Sequence, residues 1–296
     1  MKGIEGFGMK KCKVKRIKTI DGATIRKWLP RRPRNAHKGD FGKILLLCGA
    51  VGYTGAPALA AMAAARTGAG LIFVGVPQSV YPIVAGKLLE PMVFPLPDEN
   101  GMLSEKAIPE ILQRLSKCDA CLIGCGLGKS EGTYAVVKAV LENAACPVVV
   151  DADGINVLQE HIDVLRGAAC PVIVTPHEGE FLRLGGTLEN GRLFGAQKLY
   201  RETGATVLLK GHRTLICGDD GIYRNNCGNP GMATGGSGDV LAGIIVSLLG
   251  QGLRPTQAAA AGAWLHGISG DFCALRFGEY GLLPSDLLSM LPRLLK

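Results

Sequence analysis

Six short apolar runs, at residues 43–48, 71–76, 119–124, 147–150, 171–174 and 206–209, recur along the chain with helix-like segments between them. Each run is too short for a helix and is apolar at successive positions, the pattern of a strand covered on both faces. Helix-like stretches at 56–67, 104–117, 133–143, 155–165 and 195–203 supply that cover. A doubly wound, mostly parallel α/β sheet with helices on both faces follows. Residues 214–217 and 221–224, joined by Gly218-Asp219-Asp220, read as a hairpin, and a long Ala-rich helix is expected from Pro255 to about Leu275. Residues 77–104 carry five prolines, Pro77, Pro82, Pro91, Pro95 and Pro97, and read as an irregular excursion over the sheet edge. No linker divides residues 37–296, which are expected to form one domain.

Ligands of such sheets bind beyond the carboxyl ends of the strands. The polar and Gly-rich motifs stand at those ends: residues 49–57, 124–128, 151–156, 177–180 and 210–214. To them is added the stretch Asn229-Pro-Gly-Met-Ala-Thr-Gly-Gly-Ser-Gly-Asp239, which runs into an apolar helix beginning near Gly238. Gly235, Gly236 and Gly238 let the backbone take positive φ and come close to a ligand. Unpaired N–H groups and the positive end of the helix dipole then favour a phosphate there. Asp239 falls in the first turn, where a carboxylate also serves as a helix cap. A cap needs one polar side chain, whereas four residues of Gly and Ser before it leave room for something large and charged.

The net charge of +8 on 296 residues raises nucleic acid as a partner, but the charge is unevenly placed. Residues 1–38 hold 13 Lys and Arg against 2 acidic residues, so the remainder is slightly acidic. Residues 1–36 are therefore expected to be a solvated basic N-terminal extension with a short helix over 21–28; aromatic residues are only 5% of the chain and are not interleaved with these lysines for base stacking. No nucleic-acid role follows. No apolar run reaches the ~18 residues that a membrane span needs, and the first residues lack the apolar core of a signal peptide. A cytoplasmic protein with no membrane partner is expected. Most of the ten cysteines lie in or beside apolar runs, as free thiols of a reducing compartment do. The spacing of Cys118, Cys121 and Cys125 resembles a metal motif, but a strand's alternating side chains do not converge on one ion, and no fourth ligand stands nearby in the sequence.

Taken together, the motifs Lys38-Gly-Asp-Phe-Gly42, Arg66-Thr-Gly-Ala-Gly70, Asp151-Ala-Asp153, Thr175-Pro-His-Glu-Gly-Glu180, Lys210-Gly211 and Gly235-Gly-Ser-Gly-Asp239 resemble those of the ADP- or ATP-dependent NAD(P)H-hydrate dehydratases, which have a ribokinase-like fold. The likeness covers about residues 37–296. It implies metabolite repair: the hydrates NADHX and NADPHX, in the S form, are the substrates, and ADP or ATP with Mg²⁺ turns the hydroxyl into a phosphate leaving group, whose loss restores NADH or NADPH. It further implies that Lys210, Gly211, His212, Arg213 and Thr214, with Gly235, Gly236, Ser237 and Gly238, contact the nucleotide. Pro57, Gly126, His177 and Asp239 would line the hydrate pocket, Asp239 would be the catalytic base, and Glu180 would help to hold Mg²⁺ through water.

The chain departs from the family pattern where the loop after the third strand usually reads Gly-Pro-Gly-Leu-Gly, since Cys125 replaces the proline. The family is often fused to an epimerase, and the 36 preceding residues are too few for one, so the resemblance implies an epimerase on a separate chain and a homo-oligomeric dehydratase. Two other readings stay open on the residues alone. A kinase for small alcohols of the thiamine-precursor type would use the same loop and Asp239, and a non-catalytic nucleotide sensor would need no base at 239.

Overall fold

The computed structural model describes residues 17–295. Its strands are β1 (Ile17–Thr19), β2 (Lys43–Leu47), β3 (Leu71–Pro77), β4 (Met92–Leu96), β5 (Asp98–Glu99), β6 (Met102–Leu103), β7 (Ala120–Ile123), β8 (Val148–Val150), β9 (Val172–Val174), β10 (Thr206–Leu209), β11 (Leu215–Gly218) and β12 (Gly221–Arg224). Apart from the small β5–β6 ribbon they form one sheet in the order β1-β12-β11-β10-β9-β8-β7-β2-β3-β4. Only β11 runs against the rest. The doubly wound, mostly parallel sheet expected from the apolar runs is therefore present. Its order reverses beside β2, which pairs with β3 on one side and β7 on the other.

Alternate residues of each strand feed two cores. Ile44, Leu46, Val74, Leu122, Val149 and Leu208 point to one face. There lie α1 (Gly22–Trp28), α2 (Ala56–Thr67), α10 (Ser237–Gly250), α11 (Pro255–Phe277) and α12 (Pro284–Leu294). Leu45, Leu47, Cys121, Ile123, Val148 and Val150 point to the other. That face is covered by α4 (Ile108–Leu115), α5 (Glu131–Asn143), α7 (Ile162–Arg166) and α9 (Arg192–Thr203). The remaining helices are short: α3 (Tyr81–Ala85), α6 (Asp153–Asn156) and α8 (Glu178–Arg183). Small residues let α2 and α10 approach closely: a Cβ on Gly243 would stand 2.2 Å from the Ala60 carbonyl, and Ser247 Oγ donates to the Ala64 carbonyl at 3.0 Å. This contact aims the start of α10 at the carboxyl ends of the strands.

Residues 17–36 are not a solvated extension. β1 pairs in parallel with β12, Ile20 and Ile25 are buried, and the Trp28 ring meets Tyr223 edge-on at 5.6 Å. Two of the cations rest on aromatic rings: Lys18 Nζ lies 5.3 Å from the centroid of Tyr223, and the Arg32 guanidinium sits 3.9 Å from that of Phe41 and bonds to Gln251 at 3.1 Å, while Arg26, Lys27, Arg31 and Arg34 are exposed. Long cationic side chains cover apolar surface with their stems, which is why charge alone misjudged this segment. The expectations for residues 1–16, Cys12 among them, lie outside the described residues. Replacing Ile25 by Ala is expected to cost about 2–5 kcal/mol, as a buried Ile does in a core. A denaturant midpoint unchanged from wild type would put this segment back in the solvent.

The excursion at 77–104 contains the edge strand β4, whose Pro95 is tolerated because an edge leaves one side of the ladder unpaired. Pro109 opens α4 from its first turn. The single helix expected at 155–165 is two, α6 and α7, separated by Glu160 at positive φ. Helices α8 and α12 had not been expected. Among the described residues no helix is long and apolar enough to cross a membrane.

Candidate active site

At the start of α10, Gly236 is the N-cap residue with φ 95° and no side-chain cap closes the first turn. That angle favours glycine, and a Cβ there would also press on the tip of the Leu59 side chain at 2.6 Å. The Ser237 N–H turns back to the Thr234 carbonyl at 3.3 Å, and the next N–H groups, of Gly238 and Asp239, have no acceptor within the helix and are left for a ligand. Ser237 Oγ pairs with His266 Nε2 at 3.2 Å. Burial pushes His266 down to about 4, so it is neutral beside the helix start at ordinary pH.

The next layer comes from three neighbouring parallel strands. Asp151 follows β8, Thr175 and His177 follow β9, and Lys210 follows β10. Asp151 is 1% exposed; its Oδ1 accepts from Thr175 Oγ1 at 2.6 Å and from Lys210 Nζ at 2.9 Å. Burial disfavours the Lys210 ammonium, but the carboxylates of Asp151 and Glu180 outweigh it and hold its pKa above the ordinary value. Gly238 lies over this pair, its Cβ position 3.5 Å from Lys210 Nζ and 3.8 Å from Asp151 Oδ2. Asp239 follows in the first turn, half-buried. Its pKa is pushed up to about 6 by burial and then by the charge of Asp151, against the Cys125 hydrogen bond and Lys210.

His177, Lys210, Gly211, His212, Arg213, Thr214, Gly235, Ser237 and Gly238 line one cavity of about 810 Å³. Eight of these were expected around the nucleotide, and His177, expected with Pro57, Gly126 and Asp239 at the hydrate, lines the same cavity. Arg192 holds the 210–212 loop in shape, donating to the carbonyls of Leu209, Lys210 and His212. Glu180, Gly236 and Asp239 stand behind this wall. Glu180 caps its own helix: Oε2 accepts the His177 N–H at 2.9 Å, and Oε1 lies 3.4 Å from His177 Nε2. Pro57 and Gly126 are not among the residues lining this cavity. Pro57 is buried against Gly49, and Gly126 faces Tyr53 and Ala56. Cys125, next to Gly126, links this side to the centre by a hydrogen bond to Asp151, and its sulfur lies within 4.8 Å of an Asp239 carboxylate oxygen.

Asp151, Thr175 and Cys125 were absent from the expected site residues. The first two were legible as a motif at a strand end, but their bond to Lys210 needs the strand order. The Cys118, Cys121 and Cys125 spacing is pulled apart by β7: Cys121 enters the strand, while Cys125 reaches the opposite end, beside Asp151.

The reversing, mostly parallel sheet places the chain in the ribokinase-like class: a ribokinase-like superfamily protein of Enterococcus faecalis superposes with a TM-score of 0.82 at 27% identity, covering 99% of this chain and 98% of that one. Within it, this chain belongs to the NAD(P)H-hydrate dehydratase family, whose model matches residues 44–293. It is 46% identical to the bifunctional NAD(P)H-hydrate repair enzyme of Moorella thermoacetica, over 94% of this chain and 53% of that protein. It is 40% identical to the ADP-dependent (S)-NAD(P)H-hydrate dehydratase of Neisseria meningitidis, over 86% of each. The structure of the ADP/ATP-dependent NAD(P)H-hydrate dehydratase of Bacillus subtilis, co-crystallised with ATP and Mg²⁺, superposes with a TM-score of 0.79 at 29% identity, covering 94% of this chain and 97% of that one. The chain spans about half the length of the bifunctional relatives it matches.

Proposed function

We propose that this protein dehydrates the S form of NADHX and NADPHX back to NADH and NADPH, converting ADP to AMP and phosphate, or ATP to ADP and phosphate. The observation that carries this reading is Asp239 in the uncapped first turn of α10, beside the Lys210–Asp151 pair. The N–H groups from Gly235 to Gly238 and the Lys210 ammonium would stabilise the terminal phosphoryl group, for which positioning and charge neutralisation supply most of the catalysis. Asp239 would take the proton from the substrate hydroxyl as that oxygen receives the phosphoryl group. Loss of phosphate breaks the carbon–oxygen bond, and loss of a proton from the neighbouring ring carbon restores the double bond. The cavity lined by Lys210, Gly211, His212, Arg213 and Thr214 would take the nucleotide. The side formed by Pro57, Gly126 and Tyr53, with His177 at the cavity wall, would take the hydrate.

Mg²⁺ is a hard cation that takes oxygen donors and retains several waters. Glu180 offers two oxygens already engaged with His177, which fits an ion held through water rather than by direct ligation. Mg²⁺ held there would neutralise phosphate charge.

Turnover should require ionised Asp239, so the pH profile of kcat/KM is expected to fall on the acid side about tenfold per unit below an apparent pKa near 6. A profile flat down to pH 5 would remove Asp239 as the base. The reading itself is tested by incubating the protein with NADHX and each nucleotide while following the reduced-nicotinamide absorbance. A phosphorylated alcohol instead of reduced cofactor would favour the small-alcohol kinase, and binding without turnover would favour a nucleotide sensor.

The proposal extends to an epimerase on a separate chain, to a homo-oligomer and to the cytoplasm. The cysteines of the described residues are free, as a reducing compartment keeps them. Turnover that stops with the R form unspent would support the separate epimerase, and sedimentation measures the assembly.

A further inference from the structure

Cys125 Sγ and carboxylate oxygens of Asp151 and Asp239 lie within 4.8 Å of one another. The Cys125 thiol reaches Asp151 Oδ2 at 3.5 Å. Cys48, just past the end of neighbouring β2, leads into Gly49, whose N–H bonds the Cys125 carbonyl at 2.9 Å. Both sulfurs are buried, and Asp239, half-buried in the first turn of α10, is the exposed edge of the cluster. The charges around it do not balance. The Lys210 ammonium pairs with Asp151 at 2.9 Å, through the other carboxylate oxygen, and with Glu180 at 3.7 Å, and Asp239 stands beside Asp151. The carboxylates outnumber the one ammonium in a poorly hydrated place. A hard cation gains little from sulfur, whereas Zn²⁺ and Cd²⁺ combine thiolate with carboxylate and leave a fourth position open.

We propose that Cys125, Asp151 and Asp239 form an inhibitory site for a thiophilic divalent cation of the zinc class. On binding, the S–H bond of Cys125 is replaced by a sulfur–metal bond and its proton leaves to solvent. The divalent ion then offsets the new thiolate and one of the carboxylates. The ion occupies Asp239 and withdraws it as a base. Only this inhibitory consequence rests on the proposed dehydratase reading; the binding does not. Proline at position 125, usual in the family loop, would supply no such ligand.

The test is a titration of the full chain with Cd²⁺ in the absence of nucleotide, read by the thiolate-to-cadmium charge-transfer band, with Zn²⁺ as competitor. Because the chain has other thiols, the wild type is compared with Cys125→Ala and with Asp239→Asn, which keeps every sulfur. Each variant is expected to weaken one equivalent of metal by more than about 100-fold, beyond the usual effect of losing an outer-shell partner. Zn²⁺ should inhibit wild-type turnover reversibly to chelator, and Cys125→Ala should resist it. Unchanged stoichiometry and affinity in Cys125→Ala, or in Asp239→Asn, overturns the site. A protein that shows the metal band but no turnover of NADHX would count against the proposed reaction alone, since the titration is read without substrate.

Discussion

Asp239→Asn is expected to lower turnover by roughly 10²–10⁴-fold, the usual contribution of a general base, while ADP affinity changes little. The amide keeps the size and the hydrogen-bonding capacity of the side chain but cannot accept the hydroxyl proton. The backbone donors of the first turn, proposed to bind the phosphates, stay in place. The amide also removes one of the negative charges near Lys210, where Asp151 and Glu180 remain, so any change in nucleotide affinity should be a gain. If Asp239 merely capped its helix, Asn would serve about as well and turnover would be kept. Calorimetric ADP affinity and steady-state turnover on one preparation separate the cases. Retained turnover excludes the base, and lost affinity together with unfolding makes the residue structural.

The sheet was readable because its strands are buried on both faces, so each appears as an unbroken apolar run with a Gly-rich or polar turn at its carboxyl end. Where that signal failed, a second property masked it. Pro95 concealed β4, since proline argues against a strand except at an edge. Lys18 concealed β1, whose three residues add little apolar character to a cationic stretch. Lys18 in fact lies 5.3 Å from the Tyr223 ring centroid. The site divides in the same way. The start of α10 is local, and Gly235 to Asp239 could be read in one glance. The Lys210–Asp151 pair joins residues 59 positions apart, and only the order β8-β9-β10 brings them side by side. Cys125 was discounted with its neighbours because a strand separates them, yet that separation is what delivers it to the carboxylates.

Lys210→Met is expected to destabilise the protein by about 3–5 kcal/mol, because it breaks a buried pair and leaves Asp151 charged without its cation. Asp151 would retain the Thr175 hydroxyl at 2.6 Å, which cannot replace a full charge. The same change should raise the acid limb of the pH profile above its value near 6, since Lys210 is one of the groups holding the Asp239 pKa down. Turnover should fall as well, through loss of the ammonium proposed to face the transferred phosphoryl group. Asp151→Asn added to Lys210→Met removes the stranded charge, so the double variant should recover most of the lost stability, and its acid limb should move back down because Asp151 had been raising Asp239. It should not recover turnover. Denaturant midpoints and pH profiles of both single variants and the double variant measure these effects. A double variant no more stable than Lys210→Met would mean that the pair does not carry the stability, and an acid limb unmoved in every variant would mean that the group titrating near 6 is not Asp239.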